Sequence, residues 1–334
     1  MVPASDQRIF RDVVAFRGGF VAIGGVSDGP GSHAFVLHSS DGVAWEGRPD
    51  DAVRFAGLRL AELVVVGDRL FALGSVSTND RGGSRASVWI SGDGVSWREA
   101  NGPFNGASVS TLADGDDGIV LIGASNADGV LRAWRSEDGE AWEAASLDLP
   151  VPIDVADLGP MMPSGDDLLS VGSIGRGPGS PRAPVAWRSG DGVAWTCQLL
   201  DAASWPVAGA HELHRSDATF LAIGIAGQVC GFGGSCPGHS LGWVSDGGRM
   251  WTAAIVDEPP IGLGGTAYAA SGAGFVAVSS PDTWISADGV TWIRVRDDGT
   301  GAAMTGQADA LVFTDDGRIV AAGTSWIAVG ELSP

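Results

Sequence analysis

The sequence contains no lysine, and all 20 of its basic residues are arginines. Without lysine the chain has neither a Schiff-base amine nor the lysine of a phosphate-binding loop, which excludes both kinds of chemistry. Basic residues are also scarce beside 40 acidic residues, and the net charge of −20 repels phosphate backbones and anionic membrane surfaces. We therefore predict no nucleic-acid partner.

Long apolar runs are absent as well. No stretch approaches the roughly 20 apolar residues that span a bilayer, so no membrane insertion is predicted. Residues 1–5 lack a basic region followed by an apolar core, so no signal peptide is visible. We favour an extracellular or cell-surface protein whose leader lies outside this chain, with a cytoplasmic protein as the alternative.

Cysteine is rare, with three residues in 334. Cys230 and Cys236 bracket a glycine-rich segment, which favours a disulfide in an oxidising compartment, with two free thiols as the alternative. Cys197 follows a tryptophan on an expected strand and is interpreted as a small buried apolar residue rather than a nucleophile. No cofactor is predicted.

Glycine is abundant, with 52 residues, and the 44% of hydrophobic residues suit many short strands joined by tight turns. A nine-residue pattern, Trp-x-Ser-x-Asp-Gly-x-x-Trp, recurs four times in full. Two variants keep its length: one replaces only the first tryptophan, and the other reads Ser245-Asp246-Gly247-Gly248, with its aspartate one position earlier. The six copies cover residues 37–45, 89–97, 134–142, 187–195, 243–251 and 284–292. Eleven of the 13 tryptophans fall within them, so tryptophan serves mainly as a building element.

A second pattern, an apolar run ending in a small residue, recurs seven times at intervals of 44 to 55 residues. This period suits four-stranded propeller blades. The fold class predicted is all-β: a single β-propeller domain over 1–334 with seven four-stranded blades, whose seam is closed by the N-terminal segment. The predicted blades cover 11–50, 57–101, 106–146, 153–200, 208–255, 264–297 and 306–334, with 1–9 completing the last. Within that segment, residues 3–9 are expected to supply the missing outer strand.

The nine-residue pattern resembles the Asp-box (BNR) repeat of sialidase-like propellers. The family places the aspartate five residues before the tryptophan, whereas five copies here place it four before, and only the copy at 243–251 keeps the longer spacing. The resemblance implies that the turns lie on one face and that ligands bind at the other. It assigns a structural role, as turn caps, to Asp41, Asp93, Asp138, Asp191, Asp246 and Asp288. The protein is expected to be a monomer.

Acidic residues recur at the expected start of the innermost strands. Asp12, Glu62 and Glu212 each lie twelve residues before the glycine that ends their blade's apolar run, and Asp157 and Asp309 fall near the same register. Such a ring at the mouth of the central channel predicts a site for sugar hydroxyls or a cation, or a pair of catalytic carboxylates. The alternative is a structural role, with the acids capping strands or pairing with Arg11 and Arg59.

The fifth unit departs most from the repeat and contains three of the five histidines. Trp205, His211, His214 and His239 are therefore candidates for ligand binding, because function in a symmetric scaffold is expected where the symmetry breaks. Arg11 and Arg59 are further candidates for ligand binding. The spacing of His211 and His214 does not match a zinc motif, and no metal site is predicted from it.

A sialidase of the resembling family would need an arginine triad, a tyrosine nucleophile and a Phe-Arg-Ile-Pro segment. The chain has one tyrosine, Tyr268, which is interpreted as a packing residue or a ligand contact, and it lacks that segment. The function predicted is a propeller that binds a glycan or a protein without catalysis. A polysaccharide-active hydrolase or lyase is the first alternative, and a cytosolic interaction scaffold is the second.

Overall fold

The computed structural model describes residues 8–26, 33–48, 51–77, 84–115, 117–152, 156–175, 182–202, 207–227, 239–254, 266–279, 282–295, 307–324 and 326–331. These residues form seven antiparallel sheets, each built from consecutive strands of the chain. One helix occurs in these ranges, α1 (Asp51–Arg54), and no described helix has the length and apolar character needed to cross a membrane.

Each sheet begins with an inner strand. The inner strands are β1 (Arg8–Phe16), β5 (Leu58–Val66), β9 (Ala107–Gly115), β13 (Ala156–Ser164), β17 (Val207–Ser216), β21 (Thr266–Ser271) and β25 (Ala310–Phe313). The second strands are β2 (Gly19–Val26), β6 (Arg69–Ser77), β10 (Gly118–Ser125), β14 (Asp167–Ile174), β18 (Thr219–Gly227), β22 (Gly274–Ser279) and β26 (Arg318–Gly323).

The third strands follow across variable loops. They are β3 (His33–Ser39), β7 (Ser84–Ser91), β11 (Leu131–Ser136), β15 (Ala183–Ser189), β19 (His239–Asp246), β23 (Asp282–Ser286) and β27 (Trp326–Glu331). Six short outer strands complete the first six sheets: β4 (Glu46–Gly47), β8 (Arg98–Glu99), β12 (Glu143–Ala145), β16 (Thr196–Leu199), β20 (Thr252–Ala254) and β24 (Ile293–Val295).

The inner strands form a closed ring. Each inner strand contacts that of the next sheet, and the last, β25, contacts β1. Between neighbouring sheets lie seven apolar clusters, whose members come mainly from the second strands and their partners. Because both faces of each sheet are covered, the second strands are apolar throughout and do not alternate. The protein is a seven-bladed β-propeller, which confirms the predicted fold class.

The seam lies between the seventh and first sheets. Among the described residues the seventh sheet has three strands, in the order β25-β26-β27. Residues 3–7, part of the segment expected to add a fourth strand, lie outside the described residues, while Arg8 and Ile9 belong to β1. An isolated antiparallel bridge joins Ile9 to Thr324, and a shared apolar cluster that includes Phe10 and Val320 packs across the seam.

A bulge interrupts the inner strand in five of the sheets. In β1, for example, Phe10 pairs with Gly24 and Asp12 pairs with Ile23, so Arg11 is the extra residue. The register shifts at corresponding places in β5, β9, β13 and β17. The inner strand then runs so close to the second strand that a Cβ on the facing glycine would lie 2.0–2.2 Å from a backbone oxygen. The close approach explains why most of the apolar runs end in glycine.

The turns between the third and outer strands are held by local hydrogen bonds. In the fourth sheet the Ser189 hydroxyl accepts a bond from Gly192 N (2.8 Å), and Asp191 Oδ1 accepts bonds from Val193 N and Ala194 N (both 2.8 Å). Trp195 Nε1 then donates to the Gly192 carbonyl (3.1 Å). Equivalent bonds form at Asp41, Asp93, Asp138 and Asp288.

These bonds change the acidity of the turn aspartates. Although burial opposes the effect, bonds from the Ser96 and Val95 amides lower the pKa of Asp93 to about 2. Bonds from the Ala44 and Val43 amides lower the pKa of Asp41. One oxygen of each of these carboxylates, Oδ1, is therefore hydrogen-bonded within its own turn.

The turn between the third and outer strands differs in the fifth sheet. Its turn has one more residue between aspartate and tryptophan, with both Gly247 and Gly248 at positive φ. The Ser245 hydroxyl and Trp251 Nε1 are buried there without a hydrogen-bond partner among the described residues. The different spacing thus coincides with the loss of the turn's internal bonds.

We expect the two serines to respond oppositely to substitution by alanine. Ser189→Ala should lower the free energy of unfolding by about 1–2 kcal/mol, because the Gly192 amide loses its acceptor. Ser245→Ala should leave it unchanged or raise it, because a buried hydroxyl without a partner is removed. Urea denaturation of both variants measures the difference, and equal losses would show that the Ser189 bonds contribute nothing specific.

Candidate functional site

A cavity of about 470 Å³ lies at the centre of the ring. Its described wall comes from the inner strands β1, β5, β17, β21 and β25 with the residues just before β25. Polar atoms make up more than half of the surface that faces the cavity, and its ionisable groups are Asp12, Glu212, His214, Tyr268 and Asp309. The cavity therefore brings together five candidates from four separate parts of the sequence.

The strand register explains why two of these acids share the cavity. Asp12 and Glu212 each follow the bulge of their strand and lie opposite the residue that precedes the close-approach glycine. Glu62 occupies the same position in β5, although it is not part of the described wall. The twelve-residue spacing in the sequence thus corresponds to one structural position.

Asp12 is half-buried and links two blades. Its Oδ2 accepts a hydrogen bond from Leu63 N of β5 (2.7 Å), and its Oδ1 accepts one from Val13 N (2.8 Å). Burial outweighs both bonds and raises the pKa of Asp12 to about 7. In the third blade Thr111 makes the same link through Oγ1, which accepts from Met161 N (2.8 Å). A neutral side chain can therefore fulfil the structural part of the role.

Glu62 is the neighbour of Asp12 across the blade boundary and is also half-buried. Burial and the Asp12 charge raise its pKa to about 8. No hydrogen bond or ion pair to the Glu62 carboxyl occurs within the described residues. Near neutral pH each of these carboxyls exists in both protonation states, which is the condition for general acid and base catalysis.

A second polar group in the cavity combines Glu212, His214 and Tyr268. His214 Nε2 lies 3.1 Å from Glu212 Oε2, and the rings of His214 and Tyr268 are 6.0 Å apart. The Tyr268 hydroxyl is buried without a partner among the described residues. Burial, reinforced by the Glu212 charge, raises the pKa of Tyr268 far above its ordinary value. The phenol is therefore protonated at neutral pH and suited to donating a hydrogen bond, not to nucleophilic attack.

The other acidic candidates are placed differently. Asp309 lies in the cavity wall just before β25 and is exposed, with its amide donating to the Ala322 carbonyl (2.8 Å). Asp157 pairs with Ser173 and is not part of the described wall. Its carbonyl accepts a hydrogen bond from Trp187 Nε1 (3.0 Å). Of these two residues, only Asp309 lies in the cavity wall with Asp12 and Glu212.

Arg11 and Arg59 line a separate crevice between the first two blades and are exposed. They do not pair with the acids of the inner strands. His211 is the exposed bulge residue of β17, and His239 begins β19. The remaining candidates, Trp205, Cys230 and Cys236, lie outside the described residues.

Cys197 is half-buried and packs against an apolar cluster that includes Trp187, and burial raises the pKa of its thiol. A raised pKa leaves the thiol mostly protonated, which does not favour a nucleophile. Across the described ranges, no three histidine, cysteine or acidic side chains are grouped as metal ligands.

Sequence reasoning missed Thr111. It lies at the same twelve-residue distance before Gly123 as the acids do before their glycines, so the spacing contained the signal. The pattern was defined by acidic residues alone, so it did not include a threonine. The inter-blade hydrogen bond shows that hydrogen-bond acceptance, rather than charge, is what Asp12 and Thr111 have in common.

Known structures share this fold. An ulvan lyase of a new polysaccharide lyase family, bound to -[GlcA(1-4)Rha3S]-, matches with a TM-score of 0.60 and 11% identity, over 98% of this chain and 94% of the lyase chain. The extracellular domain of a putative hybrid two-component system from B. thetaiotaomicron matches with a TM-score of 0.57 and 10% identity, over 99% of this chain and 39% of that chain. No protein family and no curated protein matches the sequence.

The chain is thus a seven-bladed propeller with structural neighbours among carbohydrate-active propellers. At these identities the likeness shows the fold alone.

Proposed function

We propose that the protein binds a carbohydrate in its central cavity. The observation that carries the proposal is the convergence of Asp12, Glu212 and Asp309 with His214 in one cavity. Carboxylate oxygens accept hydrogen bonds from sugar hydroxyls, and bonds to charged groups are the stronger ones. An extracellular or cell-surface location, with the nine-residue turns as Asp-box elements, completes the proposal.

The size and lining of the cavity support a small polar ligand. A volume of about 470 Å³ lies within the roughly 300–1,000 Å³ typical of small-molecule sites, and the largely polar surface of the cavity suits a ligand with many hydroxyl groups. None of the three acids in the wall has an arginine partner within the described residues. Their hydrogen-bonding capacity is therefore directed at the cavity, apart from the two backbone bonds of Asp12 and the Glu212–His214 contact.

The test is binding of the purified protein to a panel of neutral and acidic oligosaccharides, followed by calorimetry with the best ligand. We expect Glu212→Gln and Asp309→Asn each to weaken binding by about tenfold or more, because each removes a charged acceptor. Glu137→Gln is the matched control: it changes an exposed acid in a turn between the third and outer strands, away from the cavity. It should bind as the wild type does.

Two results would contradict the proposal. The first is a panel in which no glycan binds, which would favour a protein partner. The second is glycan binding that Glu212→Gln and Asp309→Asn leave unchanged, which would move the site away from the central cavity.

The raised pKa of Asp12 favours a second candidate function, cleavage of the bound polysaccharide. A carboxyl that titrates near pH 7 can act as a general acid or base in glycoside hydrolysis or in elimination. Incubation of the bound glycan with the wild type and with Asp12→Asn distinguishes the two functions. New reducing ends or unsaturated products that the wild type forms and the variant does not would support an enzyme. An intact glycan would support binding without cleavage.

A further inference from the structure

The crevice between the first two blades has the geometry of a second binding site. It has a volume of about 210 Å³ and is bounded by β1, β2 and β3 of the first blade and by β5 of the second. Arg11 projects from the bulge of β1, and Arg59 lies near the start of β5. Both are exposed, so the crevice presents two guanidinium groups to solvent.

Neither arginine has a hydrogen bond or ion pair within the described residues. Several other arginines of the described residues pair with carboxylates, as Arg85 does with Glu99 (2.6 Å) and Arg318 with Asp316 (2.9 Å). The chain has 40 acidic residues for 20 arginines, so acidic partners are plentiful. Two arginines without a partner in the described residues share this crevice, so their guanidinium groups can bind an anion from outside the chain.

The crevice also leaves room for a ligand beside the arginines. Gly24 and Gly25 form part of the wall, and the space beside Gly25 is open, since the nearest atom to an added Cβ is 3.8 Å away. Guanidinium groups bind carboxylate, sulfate and phosphate oxygens through paired N–H donors. The chemistry therefore fits an oxyanion rather than a neutral hydroxyl.

The crevice and the central cavity lie on adjoining parts of one strand. Arg11 in the crevice is followed directly by Asp12 in the cavity wall. We propose that Arg11 and Arg59 bind the carboxylate or sulfate group of an acidic glycan whose neighbouring sugar units enter the central cavity. This inference rests on the proposed function and narrows its ligand to an anionic polysaccharide.

The experiment compares three oligosaccharides of equal length: oligogalacturonate, its methyl ester and a sulfated dextran fragment. Because the net charge of −20 repels anions, tighter binding of the acidic forms than of the methyl ester would require a local cationic site. The variants are Arg11→Gln, Arg59→Gln and the double variant. Arg132→Gln is the matched control, since Arg132 is an exposed strand arginine outside both sites that also lacks a hydrogen bond or ion pair within the described residues.

We expect the wild type to bind oligogalacturonate or the sulfated fragment at least tenfold more tightly than the methyl ester. The double variant should lose that preference, and Arg132→Gln should retain it. Affinity for the acidic ligand should fall with added salt in the wild type and fall less in the double variant. The preferred acidic form identifies whether the natural group is a carboxylate or a sulfate.

The outcomes separate this inference from the proposed function. If Glu212→Gln weakens binding and the double arginine variant does not, the inference is overturned and the central-cavity proposal stands. If only the arginine variants weaken binding, the crevice is supported as an anion site and the proposal of a site in the central cavity is overturned. If none of the three oligosaccharides binds the wild type, or if the methyl ester binds as tightly as the acid, the inference fails. Thermal unfolding of every variant establishes that it is folded before binding is compared.

Discussion

Replacing Gly24 by alanine is expected to lower the free energy of unfolding by about 3 kcal/mol or more. A Cβ at this position would lie 2.2 Å from the Ile9 carbonyl oxygen and 2.6 Å from the Phe35 ring. The oxygen belongs to the backbone of the bulged inner strand, so relief of the clash requires the strand to move, and overpacking of this kind is strongly destabilising. Chemical denaturation of the purified variant measures the loss.

Gly25→Ala is the adjacent control, because a Cβ there meets nothing closer than 3.8 Å. It should be neutral or raise the free energy of unfolding by up to about 1 kcal/mol, since alanine loses less entropy on folding. The sixth blade provides a natural comparison: Ser279 replaces the glycine, and the register of β21 and β22 continues without a bulge. Equal stability of the two alanine variants would show that the bulge does not require glycine.

The protein should lose stability as the pH rises from about 5 to 9. Burial raises the pKa of Asp12 to about 7, and burial with the Asp12 charge raises that of Glu62 to about 8. In this range the unfolded chain has already released both protons while the folded protein retains them, so a rise in pH favours unfolding. One pKa unit corresponds to about 1.4 kcal/mol, and because both side chains are only half-buried we expect a combined loss of roughly 2–4 kcal/mol.

Glu62→Gln tests the origin of this pH dependence. The variant should lose less stability than the wild type between pH 5 and pH 9, because the amide has no proton to release. The turn aspartates act in the opposite sense: their lowered pKa values contribute stability that is lost as the pH falls below about 4. A wild type whose unfolding free energy is constant from pH 5 to pH 9 would show that Asp12 and Glu62 are ionised in the folded protein.

Much of the fold could be predicted from the sequence because its repeats are local. The serine, aspartate, glycine and tryptophan of each turn lie within seven residues, and their hydrogen bonds form inside that segment. The apolar runs indicate strands covered on both sides, and their period predicts the number of blades. The glycine at the end of six of the seven runs was visible in the sequence. The reason for it was not, because the close contact involves a backbone atom of another strand.

The candidate site could be predicted only in part. The twelve-residue spacing placed Asp12, Glu62 and Glu212 at one structural position, because all three strands share the same bulge. Asp157 was grouped with them, but it pairs with Ser173 and lies before the irregularity between Leu158 and Met161, whereas the three acids follow the bulge of their strand. The proximity of Arg11 to Arg59 depends on the packing of two blades, and no local pattern in the sequence encodes it.

The bulge of the inner strand lets neighbouring residues evolve under different constraints. Arg11, Ala61, Ser110 and His211 occupy the bulge itself, and all four are exposed. The residue that follows each of them instead joins blades or borders the centre of the ring, as Asp12 and Thr111 do. A mutation at a bulge position can therefore change an exposed side chain without disturbing the interior ring. One inserted residue per strand gives this scaffold a surface on which new specificities can arise at little cost to folding.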